Sequence, residues 1–258
     1  MVVGNRAPTR AQLSRQQVLT AALSYVDEHG LEALSMHKLG ADLGVRAMSL
    51  YAHVASKDDL LDGIVDLLWS EVPIGPSSPD WRTAVRELAR ALRGLVRRHP
   101  NAAPLLANRQ IVQERSLRVW HALLSVMREG EVPDRCAVPM LHLVFSYGIG
   151  YAMAELSYPP PDTDDIDDDV ARIRRITAMV SPDASNDLVR TALLVSSGRD
   201  MGTEFDVGID LMIRGLEGCM VDEHADTSDL SADTSSTTAV SRSGRPSRAR
   251  TRGKDARP

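Results

Sequence analysis

Three hydrogen-bond donors, Tyr51, His53 and Lys57, lie close together in the stretch "ADLGVRAMSLYAHVASKDDLL" at positions 41–61. Phenol, imidazole and ammonium groups are suited to hydrogen bonds with the phosphate oxygens of a nucleic acid. In an ordinary helical protein, such residues more often serve packing or solvation. Which of the two uses applies depends on the elements that present these side chains.

Helix caps and apolar periodicity predict three helices around these donors. Ser14 with Gln17 forms a capping box for the first helix, and Gly30 supplies the left-handed residue that ends it. Ser35 caps a short second helix, and Gly44 tolerates the positive φ of a tight turn into the third, "RAMSLYAHV". Two helices joined by such a turn indicate a helix-turn-helix, whose second helix meets base edges with its N-terminal half.

The local charge is also compatible with DNA. Between positions 35 and 57 three cationic residues stand against Asp42 alone, a small basic patch in a chain of formal net charge −5. The outward positions of the third helix are Arg46, Ala47, Met48, Ser49, Tyr51 and His53. A fourth helix is predicted after Ser56, with Asp59 completing another capping box, and it ends before Pro73.

The string "LSMHKLGADLGVRAMSLYAHVASKDDLLDGI" resembles the DNA-binding domain of the tetracycline-repressor (TetR) family, over roughly positions 14–69. A weaker resemblance links "DWRTAVRELARALRGLVRRHPNAAPLLANR" and "FDVGIDLMIRGLEG" to the tetracycline-repressor-like C-terminal domain. The residues that carry the first resemblance are Lys38, Leu39, Leu43, Gly44, Val45, Leu50, Tyr51, His53, Val54, Lys57, Leu60 and Leu61.

The resemblance implies an all-α homodimer with an N-terminal three-helix helix-turn-helix domain and a C-terminal helical bundle for ligand binding and dimerisation. It implies a ligand-responsive regulator, usually a repressor, that binds a palindromic operator in double-stranded DNA and is released by a small molecule. The expected segments are an arm at 1–13, the DNA-binding domain with a linking helix at 14–72, the body at 78–221 with a mobile acidic loop near 158–169, and a disordered tail with a basic end at 222–258.

By the same resemblance, Tyr51, His53 and Lys57 contact the DNA backbone. Ser35 either caps its helix or also binds a phosphate, and Arg46 either reads a guanine or pairs with Asp42. The residues matching base-contacting positions include Ala47 and Met48, which replace a Gln-Pro pair of tetracycline repressor itself and offer only apolar contacts, for instance to a thymine methyl. The complete expected DNA-binding set is Ser35, His37, Lys38, Arg46, Ala47, Met48, Ser49, Tyr51, His53 and Lys57.

The body offers weaker signals for the effector. No His occurs in "NAAPLLANRQ", where the family places a His that helps to hold a magnesium–tetracycline complex, so neither that complex nor any other cofactor or metal is expected. Pockets are mostly apolar with few polar anchors. The candidate ligand contacts, on the predicted body helices, are Trp120, His121, His142, Tyr147, Tyr151 and Glu155.

Several other classes of protein are disfavoured. Cys136 and Cys219 have no paired spacing, so neither a zinc site nor a disulfide is expected, and a reduced cytoplasmic setting fits. The longest apolar run, from Met140, falls short of the roughly 18 residues of a membrane span. No nucleophile elbow, phosphate loop or zinc-protease motif suggests an enzyme. A regulator without a small-molecule effector remains an alternative.

Overall fold

The computed structural model describes residues 13–108, 113–157, 178, 181, 184–196 and 200–233, and these contain helices and connecting segments but no strand. The expectation of an all-α fold is confirmed. A short 3₁₀ turn at Leu31–Ala33 follows the first helix. The α-helices are α1 (Arg15–His29), α2 (Met36–Asp42), α3 (Ala47–Leu50), α4 (Lys57–Ser70), α5 (Trp81–Arg98), α6 (Ala103–Asn108), α7 (Glu114–Glu129), α8 (Asp134–Ser157), α9 (Asn186–Ser196) and α10 (Met201–Asp233).

In the N-terminal head, residues 14–72, the cap of α1 and the turn after α2 form as the sequence predicts. Ser14 Oγ accepts from the Gln17 N–H, and the Ser14 N–H donates to Gln17 Oε1, so the capping box is complete. Gly44 adopts φ 65° in the turn between α2 and α3. Gly40 lies so close to Val45 that a Cβ would stand 3.0 Å from the Val45 carbonyl oxygen. The head therefore depends on glycine both for the turn and for the close approach of its two helices.

Helix α3, the second helix of the helix-turn-helix and called the recognition helix below, is shorter than its sequence suggests. We expected a helix through "RAMSLYAHV", but α3 ends at Leu50, and Tyr51 to His53 form a turn. The N–H groups of His53 and Val54 both donate to the Leu50 carbonyl, which closes that turn. Tyr51 and His53 therefore project from the turn after α3, between the recognition helix and α4.

Asp59 does not complete the expected capping box at α4. Ser56 Oγ caps the helix by accepting from the Asp59 N–H, but the Asp59 carboxylate accepts from the Ala55 N–H at 2.7 Å and from both terminal nitrogens of Arg15. Arg15 also donates to the His53 carbonyl at 2.8 Å. The hydrogen bonds from Arg15, and then that from Ala55, lower the pKa of Asp59 to about 2. One ion pair thus joins α1 to the turn that carries His53.

The body is built around α5, whose apolar stripe faces α8 and α7. Gly148 on α8 allows a close approach, since a Cβ there would stand 2.9 Å from the Leu92 Cβ. Helix α8 is long and apolar enough to cross a membrane, but one face of it, which includes Met140, Val144 and Ile149, is buried in the core of the body. Helix α10 lies along α5 through three ion pairs, Arg82–Glu217, Arg86–Asp210 and Arg90–Asp206.

Two expectations about the C-terminal part are wrong. Cys136 on α8 and Cys219 on α10 are joined in a disulfide, although their sequence spacing gave no sign of pairing. They meet because the two helices are neighbours in the bundle, although the cysteines are 83 positions apart in the chain. Helix α10 also continues to Asp233, so the beginning of the expected tail is helical. The acidic loop, the basic end and all of the arm at 1–13 except Leu13 lie outside the described residues.

The Arg15–Asp59 pair is expected to stabilise the head at neutral pH and to lose its effect in acid. Because the pKa of Asp59 is lowered on folding, its contribution is complete above the unfolded value of about 4 and is lost as the pH falls towards 2. Asp59→Asn should lower the free energy of unfolding at pH 7 by about 1 kcal/mol, a small value because the pair is partly solvated.

Urea titrations at pH 7 and pH 3 measure this difference, with Asp66→Asn, an exposed carboxylate on the same helix, as the control. The difference between wild type and Asp59→Asn should shrink at the lower pH. A loss of stability that is the same at both pH values would contradict the role of the ion pair.

Candidate nucleic-acid interface and ligand cavity

The expected DNA-binding residues lie together on α2, α3 and the turn leading into α4. His37 and Lys38 are exposed on α2, and Ser49 is exposed on α3. Met48 is the most exposed large apolar side chain of the described residues, at 77%. An apolar group presented in this way on a helix of four residues is available to contact a partner. Ala47 lies beside it and is half-buried.

The donors Tyr51, His53 and Lys57 follow α3, in the turn after it and at the start of α4. Tyr51 is 45% exposed, whereas His53 is half-buried with its carbonyl held by Arg15. Lys57 is exposed and is the first residue of α4, where the helix N-terminus favours an anion. The three side chains therefore lie between the end of α3 and the start of α4, and their contact with a DNA backbone stays a prediction.

The structure also bears on the two open alternatives. Ser35 Oγ accepts from the Lys38 N–H at 3.2 Å, which is the capping role. Arg46 is exposed, and among the ion pairs of the described residues none joins it to Asp42. Surface pairing therefore does not account for Arg46, and the guanine contact stays a prediction.

Three of the six expected ligand contacts lie together: the Tyr147 and Tyr151 rings are 5.4 Å apart, and Arg93, which pairs with Glu155, lies over the Tyr151 ring. Trp120 is buried among other rings, and His121 and His142 are exposed on the surfaces of α7 and α8. The Tyr147 and Tyr151 hydroxyls donate to the carbonyls of Phe205 and Met201, each at 3.1 Å. These two tyrosines fasten α8 to α10, and burial raises the pKa of Tyr147.

Glu155 has a structural partner as well. Its carboxylate accepts two hydrogen bonds from Arg93, each 2.8 Å long, and both side chains are more than four-fifths buried. The hydrogen bonds from Arg93 lower the pKa of Glu155. The polar groups of Tyr147, Tyr151 and Glu155 thus have partners within the bundle, whereas His121 and His142 face solvent, and a role of these residues in ligand binding stays a prediction.

A cavity of about 600 Å³ lies elsewhere, between α5, α7 and the segment 72–77 that follows α4. Its walls are mostly apolar and include Val72, Leu88, Val119 and Leu123. Apolar walls with a small number of polar groups are typical of small-molecule sites. Sequence analysis missed this cavity because a Pro/Gly/Ser break and small Ala side chains form part of its wall, and neither carries a chemical signature.

Two polar side chains lie at the cavity. Glu87 accepts from the Ser77 N–H at 2.9 Å and from the Ser77 hydroxyl, which fastens the segment 72–77 to α5. The Ser77 hydroxyl, and then its N–H, lower the pKa of Glu87. Arg90 also lines the cavity and pairs with Asp206 of α10. A ligand in this cavity would therefore meet the Glu87 carboxylate next to the segment 72–77 and the Arg90 guanidinium, whose charge is balanced by Asp206.

An aromatic cluster connects α4 to the body beside this cavity. The Trp69 ring on α4 lies 5.1 Å from the Trp120 ring in an edge-on arrangement and 6.0 Å from the Phe145 ring in a stacked one. Trp69 is 1% exposed. Val72, which begins the cavity wall, follows three residues later in the chain. A change at the cavity can therefore reach α4 through direct packing.

A polar junction joins the head to the body on the other side of α4. His99 contacts Asp27 of α1 through Nδ1 at 2.7 Å and Glu71 through Nε2 at 2.9 Å, and it donates to both only as the protonated ring. Burial alone would raise the pKa of Glu71, but hydrogen bonds from Arg98 and His99 outweigh it and lower that pKa. Asn101 donates to the Asp27 carbonyl.

Removing the imidazole should weaken this junction. His99→Ala leaves two partly buried carboxylates without their shared donor, so we expect a loss of about 2 kcal/mol in the free energy of unfolding. Urea unfolding at pH 6.5 measures it, with His121→Ala on the exposed surface of α7 as the control. Equal stabilities for the two variants would show that the junction contributes nothing.

Comparison with known proteins agrees with both halves of the structure. Residues 18–64 match the model of the bacterial regulatory proteins of the tetR family, and residues 75–220 match the tetracyclin repressor-like C-terminal domain. The second match alone spans more than half of the chain.

Transcriptional repressors of several bacteria are similar to this chain in sequence. The chain is 32% identical to the transcriptional repressor DrrR1 of Streptomyces coeruleorubidus over 156 residues, 58% of each protein. It is 26% identical to the class D tetracycline repressor of Escherichia coli over 212 residues, 80% of this chain and 90% of that one. The match to DrrR1 thus spans less than two thirds of that relative.

Solved structures show the same architecture. ActR of Streptomyces coelicolor, a TetR family protein crystallised with actinorhodin, matches with a TM-score of 0.67 and 25% identity over 81% of this chain and 98% of that one. The helix-turn-helix head, the linking α4 and the body around α5 are thus found together in a known family. The chain belongs to the TetR family of bacterial transcriptional regulators.

Proposed function

We propose that this protein is a ligand-responsive transcriptional repressor that binds a palindromic operator as a homodimer and leaves it when a small molecule fills the cavity. The observation that carries the proposal is the position of α4. This helix begins with Lys57 beside the recognition helix and ends against the wall of the cavity.

The DNA-binding half rests on the exposed residues around α3. Lys57, Tyr51 and His53 supply phosphate contacts, which fix position and orientation without reading sequence. His37, Arg46 and Ser49, with Ala47 and Met48, supply the base contacts of the major groove. Because α3 has a single turn, one head reads few base pairs, and specificity requires two heads.

A second copy of the chain would cover apolar residues that the described part of the structure leaves exposed. Leu143 and Met153 on α8, with Val207 and Leu211 on α10, are between 37% and 61% exposed. Helices with exposed apolar side chains are suited to form a bundle with an identical pair. Two heads joined in this way must meet successive major grooves about 34–36 Å apart.

The ligand-binding half rests on the cavity. DrrR1 is named a repressor, and ActR was crystallised with actinorhodin, which supports a small-molecule effector for this chain. Filling the cavity moves the segment 72–77 or α7, and both lead to Trp69 through packed side chains. A small displacement of α4 then suffices to change the spacing of the heads.

The proposed role requires access to chromosomal DNA, so the protein would act in the cytoplasm. None of the proposed steps is a chemical reaction. The packing of Trp69 against the body beside the cavity supports a coupling between a ligand and a DNA duplex, and we infer a binding protein rather than an enzyme.

Selection of random duplexes at near-physiological salt tests the DNA-binding half. We expect a two-fold symmetric motif with half-sites about one helical turn apart. Lys57→Ala and Tyr51→Phe should weaken binding to every sequence by roughly threefold to tenfold, because they remove phosphate contacts, whereas Ser49→Ala or His37→Ala should change the preferred bases.

Arg118→Ala, on the exposed surface of α7, is the matched control for removal of a charge. If Lys57→Ala and Tyr51→Phe left affinity at the level of this control, the assignment of the recognition helix would be wrong. Selection of no motif would leave only non-specific attraction to phosphates.

A cavity-filling variant tests the ligand-binding half. Ala91→Trp places a large side chain in the cavity wall and should abolish release of the selected duplex by actinorhodin or by any effector found in a screen, with operator affinity within twofold of wild type. Ala107→Trp on the exposed surface of α6 is the control. If an effector still releases Ala91→Trp from the duplex, that effector binds elsewhere. If the protein has no small-molecule effector, no compound will release even the wild type from the duplex.

A further inference from the structure

The disulfide between Cys136 and Cys219 is the covalent feature that neither DNA binding nor the cavity explains. It joins the first turn of α8 to α10, with the two Cα atoms 6.6 Å apart. Intracellular regulators usually keep their cysteines reduced, so a disulfide in such a setting is more often a redox-sensing than a structural bond.

The two cysteine residues differ in their exposure to solvent. Cys136 is 3% exposed, whereas Cys219 is exposed on the surface of α10. A hollow of about 260 Å³ adjoins the bond and is lined by Arg135 and Pro139 as well as by both cysteines. An incoming thiolate can therefore approach Cys219, with Cys136 as the leaving group.

The bond also marks the end of the well-anchored part of α10. Toward the N-terminus of that helix, Phe205, Ile209 and Ile213 are buried and ion pairs to α5 reach as far as Glu217. Cys219 follows at the C-terminal limit of this contact and ties it to α8. Without the bond, the last contacts of α10 would depend on partly exposed side chains such as Met220.

A packed path leads from the bond to the DNA-binding head. Phe145 lies on α8 about two and a half turns after Cys136, and its ring stacks on Trp69 of α4. Met140 and Val144 on the same stretch of α8 are buried. Because close-packed interiors transmit displacement rather than absorb it, a shift of the first turns of α8 would reach α4.

We propose that Cys136 and Cys219 form a redox-sensitive modification site, opened by dithiols and closed by peroxides, and that the bonded form binds the operator more tightly. This regulation rests on the proposed DNA-binding function. The bond holds α8 and α10 in the arrangement that positions α4, and its loss frees the end of that pair.

The chemistry is balanced in both directions. For opening, a thiolate of a dithiol forms a bond to Cys219 Sγ, the Cys136–Cys219 bond breaks, and Cys136 leaves as a thiolate that takes a proton. The second thiol of the reductant then displaces Cys219, which gives an oxidised dithiol and two protein thiols. For closing, the two thiols and one hydrogen peroxide give the disulfide and two water molecules.

The test uses the full-length protein after treatment with dithiothreitol or with hydrogen peroxide. Iodoacetamide labelling counts free thiols, fluorescence anisotropy gives the affinity for the selected duplex, and hydrogen exchange of α4 reports the head without DNA. Reduction should release two thiols, lower operator affinity at least threefold and speed exchange in α4. Cys219→Ser, which changes an exposed side chain, should behave as the reduced protein under both treatments.

Thiols that stay free after peroxide, or equal operator affinities in the two redox states, would overturn the proposal. Failure of the proposed function has a different signature, since no duplex is then selected in either state. In that case, faster exchange in α4 on reduction still supports a redox site that acts on the head, and unchanged exchange overturns it.

Discussion

Helix α4 packs against the head on one side and against the body on the other, within one continuous hydrophobic core, and this constraint governs the rest of the structure. Its first turns pack against α1, where Gly63 lies directly against the Leu19 side chain, and its last turns pack against α7 and α8 through Trp69. Because both halves of this helix of 14 residues are packed against neighbours, one half cannot shift without the other. The head therefore follows any displacement that the body imposes on α4.

The contacts on either side of α4 have different strengths. The aromatic contacts of Trp69 with Trp120 and Phe145 are each worth about 0.5–1.5 kcal/mol beyond their burial, and they hold over small shifts. The hydrogen bonds of His99 to Asp27 and Glu71 depend strongly on direction and break after a movement of about 1 Å. Coupling between two sites typically amounts to 1–3 kcal/mol. The free energy of the His99 hydrogen bonds is of this order. The polar junction is therefore suited to be formed in one conformational state and broken in the other.

The sequence predicted the head better than the body, for identifiable reasons. Capping by Ser14, Ser35 and Ser56 depends on neighbouring residues and is visible in any short window, as is the need for glycine at position 44. The roles of Trp120 and Glu155 depend on residues far away in the chain, Trp69 and Arg93. From the sequence, the aromatic ring of Trp120 and the carboxylate of Glu155 therefore suggested contacts with a ligand instead of contacts within the protein. The disulfide and the cavity were missed because both arise from helix packing that no local pattern encodes.

The segment 72–77 is the part of the cavity wall that opens at least cost. It is held to α5 by the hydrogen bonds between Ser77 and Glu87, which lie at the surface and contribute about 1 kcal/mol each. Helix α7, on the opposite wall, carries Trp120 and the buried Val119 and Leu123, so its displacement would break far more apolar contact. Under the proposed function, a ligand would enter by lifting the segment, while the buried wall keeps its shape. Since the same segment continues directly from α4, the cheapest movement at the cavity is also the one most directly connected to the DNA-binding head.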